Sequence, residues 1–253
     1  TRDRYSMDNK LWIFADSFGA EPNPAYDFKN NDDWIWWKQV AERMNLHAMS
    51  CSNWGISNEW LYSAMRTEYQ NMIPGDKVVL ITTDPNRRWF FEDLPTHANL
   101  WNRDIEKDVG KTKAQAVKQY LTHLTDNPIL SDCYHETLIG WAYAVFNQLG
   151  ATVCAIPGFT NTPMHVVNDS CLSNASNAEF ASHEIRDYHY SKNSHRDRRV
   201  CHFSRDNHTV LADKIVEFFE DPTQNIDLST GFVQNIFRTK QDCDEFDYTA
   251  TSK

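Results

Sequence analysis

The stretch LWIFADSFGA, residues 11–20, opens on five apolar residues in a row and turns polar abruptly at Asp16 and Ser17. An unbroken apolar run of this length is the pattern of a strand covered on both faces of a sheet. The polar pair at its end has two readings. Asp16 and Ser17 either form the turn that follows, or they stand at a strand-to-helix junction where a serine presents its hydroxyl as a nucleophile and its own N–H faces the same pocket.

Three more runs carry the same signature: HAMSC at 47–51, KVVLITT at 77–83 and ATVCAI at 151–156, each followed by loop residues and then a helical pattern. Strands alternating with helices predict an α/β fold with a parallel sheet covered on both faces. Trp37, Val40, Ala41 and Met44 make one apolar stripe of a helix expected to start at Asp32 or Asp33. A second helix is expected from Ser57 and Asn58, turning Leu61, Ala64 and Met65 inward. Pro74, Gly75 and Asp76 signal a turn, and Gly150 is placed to stop the helix YHETLIGWAYAVFNQL at 134–149. The last strong helix is RDNHTVLADKIVEFFE at 205–220, with Ser204 as its N-cap and Asp221 and Pro222 ending it.

Two stretches decorate this scaffold: 90–131, with a polar helix around KTKAQAVKQYLTHL, and 159–200, rich in Asn and Ser and long enough for a lid or binding loop. The expected organisation is one domain over 1–222 with those insertions, then an extension over 223–253 that packs back, binds a partner or frays.

The 253 residues, 41% of them apolar, are ample for a packed core. A net charge of −10 argues against a general nucleic-acid or anionic-membrane surface, since both need a positive field; small or neutral partners fit better. No run approaches the roughly 20 apolar residues that span a bilayer, and TRDRYSMDNK has no apolar core of a signal peptide. A soluble chain, cytoplasmic or virion-associated, is the expectation. Cys51, Cys133, Cys154, Cys171, Cys201 and Cys243 are widely spaced with no CxxC pair, so mostly reduced thiols are expected and no metal centre is indicated.

Ligands of an open parallel sheet bind beyond the carboxyl ends of its strands. The residues to watch are therefore Asp16 and Ser17, Asn53 to Asn58, Thr83 to Arg88, and the loop after Ile156. His202 lies in the loop leading into the last helix, where an imidazole could turn toward this edge, whereas His208 continues the apolar stripe with Leu211 and Ile215 and reads as packed. Arg87 and Arg88 offer planar forks for a substrate carboxylate or phosphate, or pair at the surface. Asn58 is expected to brace the loop that presents Gly55. Trp34 and Trp36 are candidate sugar contacts, with Trp37 on the core stripe. His183, His189 and His195 recur every six residues, which suits a solvated loop better than a metal. Sequons at Asn168, Asn174 and Asn207 read as chance in an Asn-rich chain.

The pieces IFADSFG, NWGISN, LITTDPNRR and CHFSRDNHTVLADKI resemble, in that order, the four blocks of the SGNH (GDSL-type) hydrolases. The resemblance spans about residues 10 to 220 and implies a flavodoxin-like α/β/α sandwich. It implies Ser17 as nucleophile, with Asp16 beside it in the motif, and His202 as general base. It gives the N–H groups of Ser17 and Gly55 as two legs of an oxyanion hole. Three positions depart from the pattern. Ala15 stands for the motif's Gly. Thr83 stands where the third block supplies an Asn side chain, with Asn86 three residues later as the alternative donor. Arg199 stands three residues before His202, where the family has the Asp that orients the imidazole; a guanidinium has only donors and cannot do that. Asp197, Asp206 or a backbone carbonyl would have to replace it, or the pocket only binds.

The implied function is hydrolysis of an acyl ester, acetyl or another short acyl group on a carbohydrate, through an acyl-enzyme and without a cofactor. The competing reading is a catalytically impaired module of the same fold that binds glycan or serves in assembly, as in a phage virion, with a homo-oligomer or virion partner. An aspartyl-phosphate phosphatase is set aside because Phe18 stands where a second Asp is needed. A flavin site is set aside because no phosphate loop follows the first strand.

Overall fold

The computed structural model describes residues 9–20, 34–84, 87–90, 105–124, 128–159, 171–173, 175, 178–192, 205–233 and 235–245. The four apolar runs are its strands: β1 (Lys10–Phe14), β2 (His47–Ser50), β3 (Lys77–Thr82) and β4 (Thr152–Pro157). They form one all-parallel sheet in the order β2-β1-β3-β4. From Leu11 in β1, Val78 in β3 and Val153 in β4 every strand residue is buried, which is why these runs are continuously apolar rather than alternating.

Alternate residues of each strand serve opposite layers. Leu11, Ile13, Val79, Ile81, Cys154 and Ile156 face α1 (Trp36–Met44) and α7 (Arg205–Glu220), meeting Trp36, Val40, Leu211, Ile215 and Phe218. Trp12, Phe14, Val78, Leu80, Val153 and Ala155 face α2 (Asn58–Glu68) and α5 (Pro128–Gln148), meeting Leu61, Met65, Leu138, Ala142 and Phe146. The architecture is thus a three-layer α/β/α sandwich of flavodoxin-like type. The α3 (Ile105–Val109) and α4 (Lys111–Leu124) helices lie in the first decorated stretch. No helix among the described residues is long and apolar enough to cross a membrane.

Ser57 caps α2 as expected, its hydroxyl accepting the N–H of Trp60 at 3.3 Å, and the chain leaves α5 through Gly150 at φ 81°. Helix α1 begins later than the expected Asp32 or Asp33. Its N-cap is Ile35, which offers no side-chain acceptor, and the N–H of Trp36 reaches instead to Nδ1 of His208 in α7 at 3.4 Å. A histidine from a distant helix does the work of the missing cap. Trp36 itself is fully buried and its indole N–H donates to the carbonyl of Phe18 at 2.7 Å, so it is a core residue and not a sugar contact.

The 159–200 stretch is not simply an open loop. It contains β5 (Ala178–Phe180) and α6 (His183–Lys192), and β5 pairs in parallel with β6 (Asn235–Phe237) of the C-terminal extension, which also carries α8 (Lys240–Glu245). His189 is buried between the rings of Phe180 and Phe237, at 5.1 and 4.4 Å, which corrects the expectation of a solvated histidine; His195 lies outside the described residues. Asn207, also fully buried, clamps the extension: its amide accepts from the N–H of Val233 at 2.8 Å and donates to the carbonyl of Val233 at 2.9 Å. That amide has no room for a glycan, while Asn168 and Asn174 lie outside the described residues. Ile226 and Leu228 complete the α1/α7 core. Cys51, Cys133, Cys154, Cys171 and Cys243 are free thiols; Cys201 is outside the described residues.

Candidate active site

In the order β2-β1-β3-β4 the chain leaves β1 toward one edge of the sheet and β3 toward the other, so the switch point of the topology lies between these two strands at their carboxyl ends. Asp16 and Ser17 follow β1, and Thr83 follows β3, so the topology alone brings them together.

Asp16 answers both readings of the opening stretch. Its carbonyl accepts the N–H groups of Gly19 and Ala20, each at 3.1 Å, and its Oδ1 accepts the N–H of Phe18 at 3.1 Å, an Asx-type turn with Ser17 at its centre. Its Oδ2 then reaches across the switch point, accepting from the hydroxyl of Thr83 at 3.1 Å and from Nη1 of Arg87 at 2.7 Å. The side chain is wholly buried, and Ser17 is 8% exposed. Burial pushes the Asp16 carboxyl above its ordinary range, opposed by the Arg87 charge, the Phe18 N–H, and the side-chain bonds from Arg87 and Thr83.

The loop after β2 is stitched to the same turn. Cys51 N–H donates to the carbonyl of Ile13 at 2.7 Å and Asn53 N–H to that of Ala15 at 3.3 Å, while the Ser50 hydroxyl donates to the carbonyl of Gly19 at 3.1 Å. This continues the β1/β2 pairing past the strand ends. Gly55 follows at φ 63°, a left-handed conformation that the absence of a Cβ makes accessible without strain.

Thr83 is held on every side. Its N–H donates to Oδ1 of Asn58 at 2.9 Å and its carbonyl accepts Nδ2 of Asn58 at 3.2 Å. Its hydroxyl accepts from Nη1 of Arg87 and gives its one hydrogen to Asp16. A threonine has a single O–H, so in this arrangement Thr83 has none left for an oxyanion, contrary to the sequence expectation. Asn58 was expected to brace the loop that presents Gly55; its amide is matched instead to the Thr83 peptide.

The two arginines are also engaged. The guanidinium of Arg87 pairs with Asp16 and lies 4.7 Å above the ring of Phe159, which in turn packs 5.4 Å from Phe18. Arg88 is 9% exposed, with Nε 3.7 Å from Oε1 of Glu59, whose Oε2 accepts the N–H of Trp89 at 3.0 Å. Both arginines are thus paired within the protein, the second of the two expectations for them. Asn58 and Glu59, adjacent in the first turn of α2, together hold Thr83, Arg88 and Trp89 after β3. Glu59 and Phe159 went unnoticed in the sequence. An acidic residue two positions after an N-cap serine was the available signal for the first, and an aromatic two positions after the end of β4 for the second.

His208 is buried in α7 with its ring edge-on to Trp34 at 4.8 Å, a packing role. Asp206 is an exposed residue of the first turn of α7, where its charge favours the helix N-terminus. His202, Asp197, Arg199 and Asn86 lie outside the described residues.

No family model matches the chain, and no curated protein matches it. Among solved structures it is similar to a candidate lipolytic protein of the G-D-S-L family from Desulfitobacterium hafniense DCB-2, at 10% identity over 83% of this chain and 99% of that one, with a TM-score of 0.33. A likeness this remote assigns no reaction.

Proposed function

We propose that the chain is a serine esterase of SGNH type that removes an acetyl or short acyl group from a carbohydrate. The observation that carries this reading is the buried Asp16, which ties the turn holding Ser17 to the loop after β3 across the switch point of a parallel sheet. A buried ionic network contributes little stability of its own, and this one stands at the edge where open parallel sheets bind their ligands.

In this reading the Ser17 hydroxyl attacks the acyl carbon as His202 takes its proton, and the N–H groups of Ser17 and Gly55 stabilise the oxyanion. The imidazolium returns the proton to the leaving alkoxide, and a water activated by His202 releases the acid from the acyl-enzyme. Asp197, Asp206 or a backbone carbonyl orients His202 in place of Arg199. Asn86 is the residual candidate for a third oxyanion donor.

One observation favours the second reading, a glycan-binding or assembly module. The Thr83 hydrogen is committed to Asp16, and loss of one oxyanion donor costs about 3 kcal/mol of transition-state stabilisation. A fluorophosphonate probe separates the two. An adduct on the Ser17 peptide, absent in Ser17→Ala, supports the esterase and leads to a panel of acetylated sugars. A folded protein that stays unlabelled favours the binding module.

A further inference from the structure

Arg87 is placed at a cost. Its side chain is 11% exposed, it is held through Nη1 and by the ring of Phe159, and its Nε is buried with no hydrogen-bond partner among the described residues. An apolar pair of similar volume in such a place is often no less stable than an ion pair with a donor left unsatisfied. The contacts say what the arginine does there. It grips Oδ2 of Asp16, and Oδ1 of the same carboxyl holds the N–H of Phe18, so the chain of contacts runs from β3's loop to the two residues that flank Ser17.

We propose, building on the serine-esterase reading, that Arg87 is a positioning residue for the reaction at Ser17: through Asp16 it locks the turn from Asp16 to Phe18 across the β1/β3 boundary in the geometry from which Ser17 reacts. A misplacement of about 1 Å at a reacting group costs on the order of 100-fold in rate, so a lock of this kind is kinetically significant.

The groups that face Asp16 make the role measurable. From the loop after β3 come Arg87 and the neutral Thr83 hydroxyl, and from its own turn the Phe18 N–H. Near them, Asn58 of α2 is neutral, Glu59 is turned to Arg88 and Trp89, and β4's loop presents the ring of Phe159. Among the described residues Arg87 is therefore the cation opposing the burial of this carboxyl. Replacing it with an uncharged side chain leaves the effect of burial unopposed by charge, and the carboxyl holds its proton to higher pH. Protonation then weakens the bond to Phe18, and reactivity at Ser17 falls on the acid side.

The test is the rate of fluorophosphonate labelling at Ser17, followed across pH for the wild type, Arg87→Met and Arg87→Lys, with the Phe18 amide proton resonance titrated in parallel. Arg87→Met is expected to label roughly 100-fold more slowly, with its acid limb and the Phe18 titration both moved to higher pH. Arg87→Lys, which keeps the charge but not the planar geometry, is expected to restore the limb and only part of the rate. A purely structural role would lower the melting temperature and leave the rate and limb of the folded protein unchanged; that result overturns the proposal. If Arg87→Met does not fold, Arg87→Lys carries the test, and a wild-type rate in it overturns the proposal. A folded wild type that does not label overturns the esterase reading, and with it this one, before any variant is compared.

Discussion

Asp16 is fully buried with three donors aimed at its two oxygens, and the balance between burial and those donors decides how the protein responds to pH. Burial is the larger influence, so the folded state holds the Asp16 proton more tightly than the unfolded chain does. The sign follows from linkage. Stability contributed by this group is fully present below the unfolded value of about 3.9 and is lost as pH rises through the raised folded value, by about 1.4 kcal/mol for each unit between them. Asp16→Asn does not titrate. The stability of the wild type relative to Asp16→Asn is therefore expected to fall as pH rises above about 4. Urea denaturation of both proteins over a pH series measures it, and a difference independent of pH would mean that Arg87 fully offsets the burial. That Asp16 and Ser17 stand at a ligand edge was readable from the end of an apolar run. What was not readable is which partner each polar group takes. Asn58 lies 25 residues from Thr83, and nothing local tells that its amide is matched to that peptide or that the Thr83 hydrogen is already spent.

Elements were the most legible scale, because a strand covered on both faces must be apolar throughout, and β1, β3 and β4 are such strands; the run at 47–51 also forms a strand, but as the edge β2 it leaves His47 and Ser50 exposed, contrary to the expectation of burial. Their termini were less so. Helix α1 has Ile35 as its N-cap, a residue that carries no capping signal, and the N–H of Trp36 is met by His208 from 172 residues away. Close approach of strand ends is another feature that composition hides, and Gly158 is the sharpest case. Its N–H donates to the carbonyl of Thr82 at 2.9 Å, and a Cβ built on it would stand 2.2 Å from that same oxygen. The obstacle is backbone of the neighbouring strand, so it cannot swing aside as a side chain would. Gly158→Ala is expected to prise the end of β4 from β3 and to cost about 3 kcal/mol, the upper range for overpacking. Chemical denaturation reads the cost directly, and wild-type stability would show that the β3/β4 end yields freely.

At the scale of the whole molecule the least legible part is the segment after residue 222, where apolar and acidic residues alternate without a period. Its structure is decided by long-range pairing: Ala178 is in register with Asn235 and Phe180 with Phe237, and a ladder between residues so far apart leaves no trace in either local sequence. The segment is tied to the sandwich through Ile226 and Leu228 in the α1/α7 core, with Phe232 packed against it, and through the Asn207 amide on the Val233 peptide. A chain ending at residue 222 loses both. Exposing the pockets of two aliphatic side chains gives up about 1.5–3 kcal/mol each, and the Asn207 amide loses its peptide partner at about 1–3 kcal/mol. For a chain of this size each kcal/mol moves the melting temperature by about 2–4 °C, so the shortened chain is expected to melt at least about 8 °C below the full one. Asn207→Ala in the full chain keeps the apolar contacts and should fall between the two. Thermal melts followed by circular dichroism order the three proteins. Equal melting temperatures for the full and shortened chains would mean that the extension rests on the sandwich without stabilising it, and would return residues 223–253 to the reading of a partner-binding segment.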